Sequence, residues 1–466
     1  CMIIGSVWRL VIGLLLAIAP MSARAEVSDA ERRQCTGEGA AIPAEARIAD
    51  CTKLIESGRV PPAELFHAVN SRGVAWYDNG DFERAIADFD RVIELKPDYA
   101  DGFYNRAIAW STRGDDERAI ADYSAAIRLQ PDHARAYNNR GDLLDKQGEF
   151  ERAIVDYGKA IRLKPDYVLA FYNRGNAWRH KRDLDHAIAD YGSAIRIDPG
   201  FADAFVARGI AWSGKGDPDR AIADFDKAIR LRPDRALAFN GRGNAWRVKG
   251  DLARAIADYD AAIRLAPTDA TALSNRGDAQ AERGMHREAL ADKLAAAGLV
   301  AGTAENAGYF SDVGDMHYTL GAYAEAELWF ATAVELAPTS SWDRLYLFLA
   351  RRWQGKDDAA ALARHAATLD PKAKDAYAQI IRFAVDPAKR VGATSRRVRD
   401  IMASWGDDAA GAYARCGVGY ALLEVQRATG YDDAPLRELA LTALNGSERC
   451  ARYHNIGRTA ELTQAP

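Results

Sequence analysis

Residues 100–133, ADGFYNRAIAWSTRGDDERAIADYSAAIRLQPDH, place apolar side chains at helical spacing on both sides of Gly114-Asp115. That pattern predicts two amphipathic helices around a tight turn. It returns along most of the chain. Proline recurs at 97, 131, 165, 199, 233 and 267, five intervals of 34 residues, and a fixed period of this kind marks stacked repeats rather than one globular core. Units begin at Phe66, Ala100, Ala134, Val168, Ala202, Ala236, Ala270 and Ala307. Pro267 and Pro338 are 71 residues apart, two periods plus three, which predicts a small insertion near Gly298–Gly302. Gly80, Gly114, Gly148, Gly216, Gly250, Gly284 and Gly321 occupy the turns, where a left-handed backbone ends the first helix without steric cost. The Asp that usually follows is a good N-cap for the second helix, and the proline stops that helix and restarts the chain.

Three further positions give the units a register. Position 8 is small (Gly73, Ala107, Gly141, Gly175, Gly209, Gly243, Gly277), and position 20 is alanine (Ala85, Ala119, Ala153, Ala187, Ala221, Ala255, Ala289). Positions 11 and 24 are large or aromatic, with Trp76, Trp110, Trp178, Trp212 and Trp246 at 11. This register resembles the tetratricopeptide repeat. The resemblance covers residues 66–340 in eight units and weakens over a degenerate unit at 341–373. It implies an all-α fold, an α/α superhelical solenoid of tandem helix pairs with helical N- and C-terminal caps. First helices would line a concave groove, small residues at 8 and 20 would let helix backbones approach, and the tryptophans would fill space between units.

Position 7, usually leucine in that family, is Arg72, Arg106, Arg140, Arg174, Arg208, Arg242 and Arg276. Position 23 is Asp88, Asp122, Asp156, Asp190, Asp224, Asp258 and Asp292. Both disappear together in the unit beginning at Ala307, so each arginine is expected to meet an aspartate of its own unit or a neighbour. A carboxylate matches a guanidinium fork bidentately. The functional alternative is a row of anion-binding arginines.

The resemblance turns positions 2, 5, 6, 9, 12 and 13 of each first helix into the groove. Position 6 carries Asn105, Asn139, Asn173 and Asn275, and positions 5 and 9 add Tyr104, Asn138, Tyr172, Asn176, Asn240 and Asn244. Asparagine is a mediocre helix former, so its recurrence there asks for a reason. Its amide suits the backbone of an extended peptide without demanding a sequence, and the row resembles the asparagine ladder of peptide-binding members. Bonding to the neighbouring helix within the stack is the other reading. Lys146, Arg179, His180, Lys181, Arg182, Arg247 and Lys249 gather at the groove edge, either to receive acidic groups of a partner or as solvated helix ends. The carboxylate clamp of chaperone-binding relatives is not reproduced in its register.

Charge then narrows the partner. With 62 Lys+Arg against 66 Asp+Glu, no basic excess exists to neutralise a phosphate backbone, which argues against nucleic acid. Hydrophobic residues at 48% and charged residues at 27% argue against wholesale disorder. Residues 1–25 read as a secretory signal: Arg9, an apolar run over 10–19, then Ala23-Arg24-Ala25. The run is too short to span a bilayer, so no transmembrane span is expected after cleavage. An oxidising destination follows, periplasmic or secreted, with the Ala- and Arg-rich wording pointing to a bacterial source. Four cysteines remain, and the pairings Cys35–Cys51 and Cys416–Cys450 are preferred among three possibilities. Residues 26–65 are expected to form a capping region with a helix around 44–57. Residues 374–466 keep helical spacing over 376–385, 395–405, 409–427, 435–444 and 447–456.

No H-E-x-x-H, G-x-S-x-G or G-x-G-x-x-G fingerprint occurs. The run from Gly209 to Lys215 imitates part of a phosphate loop, but Gly216 stands where Ser or Thr must bind magnesium. No CxxC or clustered histidine suggests a metal, and no cofactor is expected. The expectation is a non-enzymatic exported scaffold that binds an extended protein segment in its groove. A small-molecule or envelope-polymer carrier acting through 374–466 is the alternative, and self-association through the caps stays open.

Overall fold

A computed structural model describes residues 27–37, 42–356, 358–369, 375–385, 393–404, 409–429 and 434–445. The signal at 1–25 and Cys450 lie outside them, as does 447–456. Among the described residues the secondary structure is helical throughout. The chain divides between Pro199 and Gly200 into two compact units.

The N-terminal unit opens with two helices, Asp29–Thr36 and Ala44–Glu56. A disulfide joins Cys35 to Cys51, and both sulfurs sit among Val27, Leu54 and Ala68. Four helix pairs follow, each written here as helix A and helix B: Leu65–Asp78 with Phe82–Leu95, Ala100–Thr112 with Asp116–Leu129, Ala134–Lys146 with Phe150–Leu163, and Val168–His180 with Leu184–Ile197. Each A helix packs on its own B helix, and each of the first three B helices packs on the next A helix. The B helices start at Asp81, Asp115 and Asp183, whose carboxylates accept from the backbone N–H three residues on, satisfying a donor that the helix itself leaves open. Glycines 80, 114 and 148 hold the left-handed turn, but the fourth pair puts Arg182 there, at φ 62°.

The second unit repeats the motif with Ala202–Gly214 and Pro218–Leu231, Ala236–Val248 and Leu252–Leu265, Ala270–Glu282 and His286–Leu299, and Ala307–Thr319 and Tyr323–Leu336. The three extra residues form part of a connection that includes a short 3-10 turn, Ala304–Asn306. Ser341–Trp353 and Ala359–Thr368 make a further pair, and four helices follow: Ala376–Val385, Ala393–Ala403, Ala409–Thr429 and Ala434–Asn445. These last helices share one apolar cluster with the final repeats, including Phe330, Tyr346, Ile380, Phe383, Leu422 and Leu436. A repeat array cannot bury its terminal face alone, and this cluster covers it.

Packing explains the register. Alanines at position 20 are fully buried between helices. At Gly175 an added Cβ would come within 2.6 Å of the Tyr191 ring, and at Gly243 within 2.7 Å of Tyr259. Position 8 is thus small because the aromatic at position 24 lies against that backbone, and burying such a ring contributes about 2–3 kcal/mol. The tryptophans at position 11 are only half-buried. Their outer faces are covered by Arg84, Arg118, Arg220 and Arg254, whose guanidinium carbons stand 4.6, 4.5, 4.5 and 4.5 Å from Trp76, Trp110, Trp212 and Trp246. His186 stacks on Trp178 in the same place, at 4.7 Å.

Candidate functional site

The seven position-7 arginines each form a fork with the position-23 aspartate of their own unit. In the pair Arg140–Asp156 the contacts are Nε to Oδ2 at 2.7 Å and Nη2 to Oδ1 at 2.8 Å, and the other six repeat this geometry. The aspartates are buried, so the fork answers a structural need: a buried carboxylate must be paired and hydrogen-bonded. The aspartates beside Arg106, Arg140, Arg242 and Arg276 hold those guanidinium groups above their ordinary value, against the opposing pull of burial. These arginines are therefore not a row of open anion sites.

The amide face of the N-terminal unit comes from neighbouring A helices. Asn105 donates to Asn70 at 3.0 Å, and Asn173 donates to Asn138 at 3.4 Å, each reaching back one repeat. Asn138 is buried and donates to Asn139 at 3.3 Å. Asn139 in turn donates to the hydroxyls of Tyr104 and Tyr123, at 3.3 and 3.4 Å. Both amide hydrogens of Asn139 are thus used inside the stack. Asn105 and Asn173 spend one donor each and keep a second N–H and the carbonyl oxygen. Asn176 accepts the Tyr191 hydroxyl at 2.8 Å; burial pushes that phenol up to about 12, so it remains a donor at neutral pH and leaves the Asn176 amine for other acceptors. Tyr104 and Tyr172 rest against Tyr123 and Tyr191, with ring centroids 5.8 and 5.9 Å apart. The stack therefore uses part of the hydrogen-bonding capacity of these amides and leaves part of it unspent.

In the second unit Asn275 donates to buried Asn240 at 3.0 Å, and Asn244 accepts from Tyr259 at 2.7 Å. Beside them the face is ionic. Arg247 bonds Glu282 through Nε at 2.8 Å and stands 3.2 Å from Asp278 through Nη1. Lys293, 2% exposed, occupies position 24, where the neighbouring units carry an aromatic ring. Its ammonium bonds Ser274 at 2.9 Å, Asp312 at 2.6 Å and Asp278. Burial opposes the charge, but the two carboxylates hold the Lys293 ammonium above its ordinary value. Sequence reasoning missed this cluster, although a lysine at an aromatic position was the visible signal.

The edge charges are largely paired along the stack. Lys146 reaches Asp116 at 2.7 Å, Lys181 reaches Glu151 at 2.6 Å, His180 meets Asp145 at 3.1 Å, and Lys249 bonds Asp219. Arg179 lies half-buried, with Nη2 3.4 Å from the His180 ring. These pairs span adjacent repeats and favour the reading of solvated helix ends, with little net stabilisation from each. Cys35 and Cys51 form the disulfide described above. Cys416 lies in the helix Ala409–Thr429, and its expected partner Cys450 is outside the described residues.

At the end of the second unit the same register positions are already occupied. Glu424 of the helix Ala409–Thr429 is 1% exposed. It accepts from Tyr318 at 2.5 Å and from Trp353 at 3.1 Å, the residues at positions 12 and 13 of their units. Arg352 donates to the Ala428 carbonyl at 2.9 Å, and Arg427 covers the Trp353 ring at 5.0 Å. Gly417 lies so near Tyr377 that a Cβ there would be 2.8 Å from its hydroxyl. The open stretch of this face therefore ends before Tyr318.

Among the described residues no group of three or more His, Cys, Asp and Glu is placed to hold a metal ion. No helix among them is long and apolar enough to cross a membrane.

Comparison with known proteins agrees with this architecture. The tetratricopeptide repeat family matches residues 70–134, 206–270 and 250–303 and, through a second profile of that description, 123–155; a TPR repeat profile matches 141–178. No curated protein sequence matches the chain. Among solved structures, MamA is 29% identical over 35% of this chain and 96% of its own, with a TM-score of 0.34. YrrB, titled a TPR protein with an unusual peptide-binding site, is 25% identical over 40% of this chain and 95% of its own, with a TM-score of 0.36. A tetratricopeptide repeat protein from Parabacteroides merdae is 19% identical over 54% and 98%, with a TM-score of 0.45. With its paired helices, its 34-residue register and these family matches, the chain is a tetratricopeptide-repeat protein, built on a protein-interaction scaffold.

Proposed function

We propose that this chain is a non-enzymatic periplasmic adaptor that holds an extended segment of a partner protein on the amide face of residues 104–176. The observation that carries the reading is the unspent hydrogen-bonding capacity of Asn105 and Asn173, whose amides each make one bond within the stack. Amides that are positioned by one bond and free at the other can pair with a peptide backbone at little cost in side-chain entropy. Tyr104 and Tyr172, one residue before them, add flat apolar area beside each amide. Export to the periplasm is supported by the signal-like residues 1–25 and by the Cys35–Cys51 disulfide, a bond that persists in oxidising compartments.

The test is affinity capture from a native envelope extract. Mature wild type is compared with Asn105→Ala/Asn173→Ala and with Asn139→Ala, all three checked for helical content. The double variant is expected to lose specific partners. Asn139→Ala is expected to keep them, because its amide hydrogens are already used inside the stack. Equal capture by all three proteins would sink the reading.

A further inference from the structure

In six of the arginine forks Nη1 faces the preceding element, and what it meets varies. Arg106, Arg242 and Arg276 meet a second aspartate at position 25 of the preceding unit: Asp90 at 2.6 Å, Asp226 at 2.5 Å and Asp260 at 2.6 Å. Arg140 meets Ser124 at 2.9 Å, and Arg72 meets Thr52 of the capping helix at 3.3 Å. Arg174 meets Gly158. A Cβ placed on Gly158 would have only two atoms near it, Nη1 of Arg174 and Nη1 of Arg162, each at 3.6 Å. Two guanidinium groups thus converge on a point where other repeats carry an acid, and this repeat carries a hydrogen atom.

We propose that the notch over Gly158, between Arg162 and Arg174, is a binding site for an oxyanion, either a carboxylate or a phosphate. The chemistry is that of the neighbouring repeats with the acid supplied from outside. Asp190 already fixes the Arg174 plane through Nε and Nη2, both at 2.7 Å, so the third edge is held in place before a ligand arrives. Arg162 lies four residues beyond Gly158 on the same helix, the spacing at which an acid and a base meet on one helical face. Positioned guanidinium forks favour planar or tetrahedral oxyanions over monatomic ions such as chloride. The site uses none of the amides assigned to peptide binding, so either proposal can fail alone.

Gly158→Asp tests this by returning to the third repeat the acid that the first, fifth and sixth possess. Thermal unfolding of the full chain is followed with increasing inorganic phosphate, at constant ionic strength maintained with chloride. Wild type is expected to gain stability with phosphate. Gly158→Asp is expected to start more stable and to lose most of that response, about threefold or more in slope. Arg162→Ala, a change at an exposed side chain, is expected to lose it too, and it keeps the test sound if the aspartate variant folds poorly. A second series replaces phosphate by tetraglutamate. Protection by the peptide assigns the site to acidic side chains of a partner, whereas protection by phosphate alone assigns it to a free oxyanion. The same phosphate response in all three proteins, or none in wild type, overturns the proposal.

Discussion

Replacing Arg140 by leucine is expected to destabilise the third repeat by about 3 kcal/mol, and replacing Asp156 as well is expected to return part of the loss. The single change removes two bonds at 2.7 and 2.8 Å from a carboxylate whose side chain is 6% exposed. Stripping one partner from a buried pair typically costs about 3–5 kcal/mol. Arg140 is itself 21% exposed, so some water reaches the stranded carboxylate and the lower end of that range applies. Asp156→Leu alone is expected to cost about 2 kcal/mol, because the guanidinium keeps its 2.9 Å bond to Ser124 and can turn toward solvent. In the double variant no buried charge is left unpaired, and the expected loss is again about 2 kcal/mol rather than the sum near 5. Urea unfolding followed by circular dichroism gives the global midpoint, where about 3 kcal/mol corresponds to a shift of about 1–2 M. Repeat arrays can unfold in parts, so hydrogen exchange over residues 134–163 supplies the local value. Losses that add within about 0.5 kcal/mol would refute the coupling between these two side chains.

Three other outcomes can be measured directly. Arg182 holds a left-handed turn where the other repeats use glycine, so Arg182→Gly is expected to stabilise the fourth repeat by about 1 kcal/mol in thermal unfolding. Lys293→Met would remove the ammonium between Asp278 and Asp312, leaving Arg247 beside Asp278 and stranding the Asp312 carboxylate. A loss of about 3 kcal/mol is expected, largely recovered by adding Asp278→Asn and Asp312→Asn, as read by urea unfolding. Burial pushes the Glu424 carboxyl above its ordinary 4.5, against its bonds from Tyr318 and Trp353 and the field of Arg427, with Tyr420, Tyr346 and Asp315 also in the surround. A raised carboxyl contributes its full stability below the unfolded value and loses it as pH rises through the folded one. The contact between 409–429 and the last repeats is therefore expected to loosen from about pH 4.5 upward, and Glu424→Gln is expected to remove that slope in hydrogen exchange over 417–429, corrected for intrinsic rates.

Local chemistry carried much of this protein in plain view. Periodic proline, turn glycine and capping aspartate act within a few residues of themselves, so the helix pairs could be read one unit at a time. The position-7 arginines and position-23 aspartates were legible as partners because they vanish together in the unit beginning at Ala307, although only the folded chain shows that each pair closes within one unit. The rest depended on neighbours in space. Asn105 and Asn139 each donate to a residue 35 positions earlier, but Asn139 also donates to Tyr123, 16 positions earlier, and so the two look alike in sequence but not in the fold. Arg179 and Arg247 share one register position, yet Arg247 is tied to Asp278 and Glu282 of the following repeat. Lys293 and Glu424 are charged side chains that no hydropathy pattern would bury; Lys293 is met by Asp312 of the next repeat, and Glu424 by Tyr318, more than 100 residues earlier in the chain. The linear order determined the repeat and its register, because those rest on short-range backbone geometry. Tertiary structure alone decided which polar groups are consumed and which remain for a partner, because satisfying a hydrogen bond or a buried charge requires a second group that the chain supplies from a distance.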